Sequence, residues 1–151
     1  MTPIDRSAIG RAKLFLNKAA ECTASQRNEF EAFTEAAIVF ARSAIQHIHT
    51  KYGKKNKHPK FQAWWDGLLK IPSLEFIRSE RDFILKEAPQ KTGQYIGAPT
   101  PKHAREFYFY RDAYGNPVDP INELSNHISE AEKAVAFATE MFSDSQELHP
   151  H

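Results

Sequence analysis

From about Ser25 to Tyr52 the chain runs without a proline or glycine until Gly53, and Phe30, Phe33, Ala37, Phe40, Ala44 and Ile48 recur at steps of three and four. That period draws one apolar stripe along a helix of several turns, and a stripe of this length must be covered by other elements. Three further stretches offer such cover. In the first, roughly Asp5 to Glu21, Ile9, Ala12, Leu16 and Ala19 keep the same rhythm. Another starts near Pro59, whose fixed φ suits a first helical turn, and carries Phe61, Trp64, Trp65, Leu68 and Leu69. Pro72 predicts a kink or restart there, followed by helix to about Ala88. The last begins at Asp119 or Pro120, with Glu123 reinforcing the start, and places Ile121, Leu124, Ile128, Ala131, Val135, Ala138 and Phe142 on one face.

Between the third and fourth helices, prolines at 89, 99, 101, 117 and 120 and glycines at 93, 97 and 115 break the helical pattern. The aromatic run 106–110 and the turn-like Tyr114-Gly115-Asn116-Pro117 predict a small β-hairpin. Inward and outward alternation along it would explain the aromatics. The fold class that follows is all-α, an antiparallel up-down four-helix bundle with this insertion between its third and fourth helices. At 151 residues, 41% of them hydrophobic and 26% charged, the chain suffices for one domain with a core of its own. We assign residues 1–143 to that domain and 144–151 to a frayed polar tail. Its core needs no cofactor.

The longest apolar run, Ala36 to Ala41, is far short of the roughly 20 residues that cross a bilayer. Charges near the N-terminus stand where a signal peptide would need its apolar stretch, and a lone Cys22 has no internal disulfide partner, so a cytoplasmic protein without membrane contact is expected.

The net charge of +1 hides an uneven distribution. Between Ala36 and Leu74, seven basic residues face one acid, a local balance of +6; from Asp119 to His151, seven acids face Lys133 alone, a balance of −6. This polarity permits a phosphate-facing patch in the first region, and equally permits one half of the protein to attract the other half of its partner. Lys54, Lys55, Lys57 and Lys60 are the candidate nucleic-acid contacts, in an exposed connection where Tyr52 or a neighbouring Trp offers a stacking face. Cations near a helix C-terminus also answer its dipole, which explains the same lysines without a ligand. Trp64 and Trp65 point about 100° apart on a helix, so one is expected in the core and the other at its edge or in a dimer contact.

Arg81-Asp82-Phe83-Ile84-Leu85-Lys86 is the remaining motif. With the order of long helix, basic loop, Trp-containing helix, aromatic insertion and heptad-like last helix, it resembles the R-N-x-x-x-H signature of the HEPN domain, the higher eukaryotes and prokaryotes nucleotide-binding superfamily. The resemblance spans most of residues 5 to 142 and implies a four-helix bundle that dimerises. In active members, metal-independent ribonucleases common in toxin–antitoxin and phage-defence systems, Arg and His from both subunits meet in a cleft. Arg81 and Lys86 take those two positions here, with Asp82 and Arg78 as supporting residues.

The departure is Lys86, which stands where the family has histidine. Cleaving RNA through its 2′-hydroxyl requires a group that removes that proton, one that protonates the leaving oxygen, and positive charge beside the phosphate. An ammonium of reference pKa about 10.4 needs lowering by roughly three units, about 4 kcal/mol, to act as a base at neutral pH. Asp82, at i−4, favours the charged form instead. The pairs Arg78–Asp82 and Asp82–Lys86 are also spaced as ordinary helical ion pairs.

Metal and nucleophile chemistry find less support. Glu123, His127 and Glu130 share one helix face, yet the Glu-x-x-His pairs of di-iron bundles are missing, so no metal is expected. Cys22 reads as a structural thiol, with no Gly-x-Ser-x-Gly elbow or phosphate-binding Gly loop elsewhere. The expected function is therefore binding of RNA, or of a protein partner encoded by a neighbouring gene, by a homodimer in a bacterial stress or defence context. The alternatives are an active ribonuclease using Lys86 or His103 as base, and a purely structural interaction scaffold.

Overall fold

The computed structural model describes residues 7–55, 57–78, 86–87, 102–106, 108–111 and 114–147. Helix α1 (Ala8–Glu21) starts at Ser7, whose hydroxyl accepts the Gly10 N–H at 3.0 Å. It buries Ile9, Ala12, Leu16 and Ala19, the stripe expected from its spacing. The chain then reverses through Cys22–Gln26, where the Gln26 side chain accepts the Thr23 N–H at 2.9 Å.

Helix α2 (Arg27–Ile48) is covered more widely than its sequence stripe requires. Phe30, Ala37, Ala44 and Ile48 are buried as expected, but Ile38, Ala41 and Ile45 join them, while Phe33 and Phe40 are only partly buried. The reason is contact on two sides, with α1 along one flank and α5 (Pro120–Glu147) along the other. On the α1 side, Phe15 stacks on Phe40 at 5.6 Å and on Phe33 at 6.2 Å.

Early α1 meets late α2 and the middle of α5 around a shared cleft, whereas Leu16 and Asn17 lie beside Ser125–Ser129. Helix α1 is thus antiparallel to both, and α2 and α5 run the same way. Lys13 reaches Glu132 at 2.6 Å across the α1–α5 seam; both are about half exposed, so the pair adds little stability.

Past Ile48, α2 widens into a π-helical turn, His49–Lys55, where an open loop was expected from Lys54 on. Lys57 ends it in the left-handed conformation (φ 46°), and the His58 N–H closes back on the Tyr52 carbonyl at 3.0 Å. This resembles a helix C-cap widened by one residue, with lysine where glycine is usual. Gly53 permits close packing, since a Cβ there would stand 2.8 Å from the Phe61 ring.

The third sequence stretch forms two short helices, α3 (Phe61–Leu68) and α4 (Pro72–Arg78), with Pro72 opening the second. Helix does not continue to Ala88. Lys86 and Glu87 instead form strand β1, antiparallel to β2 (Tyr108–Arg111) with Lys86 opposite Phe109 and Glu87 opposite Tyr108. Pairing with an aromatic strand satisfies their backbone groups and overrides local helix preference. With Lys86 in a strand, the helical spacing expected for the Asp82–Lys86 pair does not apply; Asp82 itself lies outside the described residues.

Strand β3 (Pro117–Val118) completes the predicted hairpin, so the sheet order is β1-β2-β3. Gly115, at φ 82°, supplies the turn, and its carbonyl accepts from Arg111 at 2.6 Å. Tyr108, Phe109 and Tyr110 are all buried, so the expected alternation is absent from β2, which is paired on both edges. A 3-10 turn, Ala104–Glu106, ties this region to the α1–α2 link: Ala24 donates to the Lys102 carbonyl and Ala104 to the Cys22 carbonyl.

Asp119 caps α5 by accepting the Ile121 N–H at 2.8 Å, and the helix continues to Glu147, past the tail boundary expected at 143. The structure is mostly helical, and among the described residues no helix is long and apolar enough to cross a membrane.

Candidate functional site

The sequence-predicted residues divide into two groups. Arg81 and Asp82 lie outside the described residues. For Arg78 and Lys86 the backbone alone is described, closing α4 and opening β1. The lysines are all described. Lys54 and Lys55 stand on the π-helical turn, Lys57 is the left-handed residue after it, and Lys60 precedes α3; each is exposed. Among the described residues, none of the four is held in an ion pair. Lys51 lies over the Tyr52 ring at 5.3 Å.

Aromatic side chains bind this basic turn to the ends of α3 and α5. Phe142 is the hub. Its ring lies 4.8 Å from His58, 6.0 Å from Tyr52, 5.4 Å from Phe61 and 5.3 Å from Trp64. Trp65 is buried and Trp64 only partly so, the division expected from their angular separation. Trp64 in turn stacks nearly parallel on Phe137, centroids 5.4 Å apart and planes 18° apart. Phe137 is 43% exposed and Met141, one turn further along α5, is 51% exposed. Sequence reasoning missed both. Their signal was available as two large apolar residues out of register with the stripe at 135, 138 and 142.

Beside the turn, a cleft of about 610 Å³ opens between the start of α1, the end of α2 and the middle of α5. His47 and Lys51, one turn apart, stand on its wall facing Glu132, whose charge Lys13 already balances.

The other candidates resolve into structural roles. His103, the alternative base, is exposed at the opposite end, bridged to Thr23 and 3.6 Å from Glu106. Since α2 separates the two ends, about 33 Å of helix lies between it and the lysines. His127 is 5% exposed, and burial pushes its imidazole down to about 4, although the Glu123 carboxylate 3.1 Å from Nε2 pulls the other way. It is therefore neutral at pH 7. Glu130 points to Lys133 at 3.4 Å, and among the described residues no three His, Cys, Asp or Glu side chains converge as metal ligands.

Burial raises the Cys22 thiol, with Glu29 and Glu21 adding to the effect, and Sγ donates to the Lys18 carbonyl at 3.4 Å. A thiolate nucleophile is disfavoured there. Tyr110 is likewise pushed up to about 12 by burial, against the opposing pull of Thr34.

Exposed cations and an exposed aromatic ring occur together at the end of the molecule that carries the lysine turn. That end can attract phosphates and stack planar groups. Comparison of the chain with family models, with curated proteins and with solved structures finds no match.

Proposed function

We propose that the chain is a HEPN-like domain, an antiparallel up-down four-helix bundle whose third leg is α3 with α4, acting as a homodimer that binds RNA without cleaving it by the family's usual route. The observation that carries RNA binding is the concentration of Lys54, Lys55, Lys57 and Lys60 at one end of the molecule, exposed and, among the described residues, in no ion pair. Helix dipole compensation accounts for one or two cations at the end of α2. It does not call for four.

Cleavage is opposed by the chemistry of Lys86. Lys86 as an ammonium can hold a phosphate but accepts no proton at neutral pH. The kinship with HEPN domains is supported by the order of elements and by the six-residue motif, and the dimer follows from that kinship.

A structured RNA and an unstructured one, titrated at 50 and 200 mM salt, provide the test. With about four phosphate contacts, affinity is expected to fall about 50-fold over that range. Replacing Lys54, Lys55, Lys57 and Lys60 with Gln is expected to abolish most of the salt dependence. Cleavage that disappears in Arg81→Ala overturns the binding-only reading, and a complete lack of salt-sensitive affinity leaves the interaction-scaffold reading in its place.

A further inference from the structure

We propose that the surface joining the lysine turn to the Trp64–Phe137 stack is a platform for single-stranded nucleic acid, with unpaired bases stacking outward from Phe137 and phosphates following the lysines. The proposal rests on the RNA-binding reading and narrows its ligand to unpaired strands.

A nearly half-exposed Phe137 beside a half-exposed Met141 is an apolar patch that the folded chain leaves in water. Trp64 holds the Phe137 ring nearly parallel to its own, and Trp64 is itself braced by Phe61 and Phe142. A base added to the outer ring would extend a stack that is already ordered, so little side-chain freedom remains to be lost. Phe142 links this stack through His58 and Tyr52 to the lysine turn.

Charge complementarity selects the occupant. Five lysines stand in the 51–60 segment, whose Tyr52 and His58 rings meet Phe142, while of the described acids Asp66 accepts from Gln62 at 2.9 Å and Glu140 is exposed on α5 one turn from Phe137. The 51–60 segment supplies the cations and the α5 patch the exposed ring, so a polyanion with planar apolar groups fits both parts. A duplex offers the phosphates, but its base faces are buried in its own stack. Only an unpaired strand offers both.

The test titrates the full chain with a fluorescently labelled single-stranded RNA 12-mer and with the blunt duplex of the same sequence. The single strand is expected to bind at least tenfold more tightly and to quench tryptophan fluorescence. Phe137→Ala is expected to weaken single-strand binding about tenfold, leaving duplex binding and the salt dependence unchanged. Phe137→Leu, which keeps apolar bulk but removes the ring, should give the same loss with an unchanged thermal midpoint.

Equal affinity for both RNAs with no effect of either variant overturns the platform while leaving lysine-mediated RNA binding intact. A concentration-dependent dimer dissolved by Phe137→Ala also overturns it, because a second copy of the chain then covers the patch. If neither RNA binds in a salt-sensitive way, both readings fall.

Discussion

At the end where α1 turns into α2, Arg105 donates to Asp119 at 2.9 Å and to Asn122 at 3.0 Å, Asp119 caps α5, and Arg27 lies over the Tyr108 ring. At the other end, four lysines stand exposed on the turn that Tyr52 and His58 join to a stack of rings, whose outer member Phe137 faces water. Both ends are rich in aromatics and cations, but Arg105 and Arg27 at the first are matched within the fold, whereas Lys54, Lys55, Lys57 and Lys60 at the second are in no ion pair among the described residues. A set of satisfied charges holds elements together. An unmatched set beside exposed rings is where an outside partner has most to gain.

The largest expected contrast lies between two phenylalanines. Phe30, fully buried against Tyr108, should lose about 3–5 kcal/mol on truncation to Ala. For the exposed Phe137→Ala the loss should stay below about 1 kcal/mol. Urea denaturation measures both, and similar losses would erase the distinction between the two ends.

Next comes pH. Because the folded state holds His127 at about 4 against an ordinary 6.5, the unfolded chain takes up a proton first as pH falls. The contribution is fully present above about pH 6.5, is lost progressively between 6.5 and 4, and amounts to about 3 kcal/mol at most. Unfolding free energies measured at pH 7, 5.5 and 4 should trace this decline, and His127→Asn should flatten it.

Gly53→Ala sharpens the comparison at the aromatic end. Its Cβ would meet Phe61 at 2.8 Å, so a cost of about 1–3 kcal/mol and an altered near-ultraviolet spectrum from Trp64 and Trp65 are expected. Asp119→Ala removes a cap and an ion-pair partner at the other end, for about 1 kcal/mol by thermal melting. The smallest effect belongs to the joint change of Lys54, Lys55 and Lys57 to Gln. Within about 0.5 kcal/mol, stability should not move.

Much of the helical scaffold was legible because its signals are local. The stripes of α1 and α5, the Asp119-Pro120 start, the restart at Pro72 and the hairpin turn at Gly115 all depend on residues a few positions apart. Lys86 was misread for the opposite reason. Its strand exists through pairing with residues 108 and 109, more than twenty positions away, which no helical period reveals. The lysine cluster was visible, but the platform beside it was not, because Phe137 meets Trp64 only when α3 folds against α5.

By itself, then, the order of residues determined where most helices run, how they are capped and where positive charge accumulates. Tertiary structure decided which flanks of those helices are covered: α2 is buried on two sides, while Phe137 is left in water. A repeat of three and four specifies an angle around one axis; it carries no information about how many neighbours arrive or how far their contact extends.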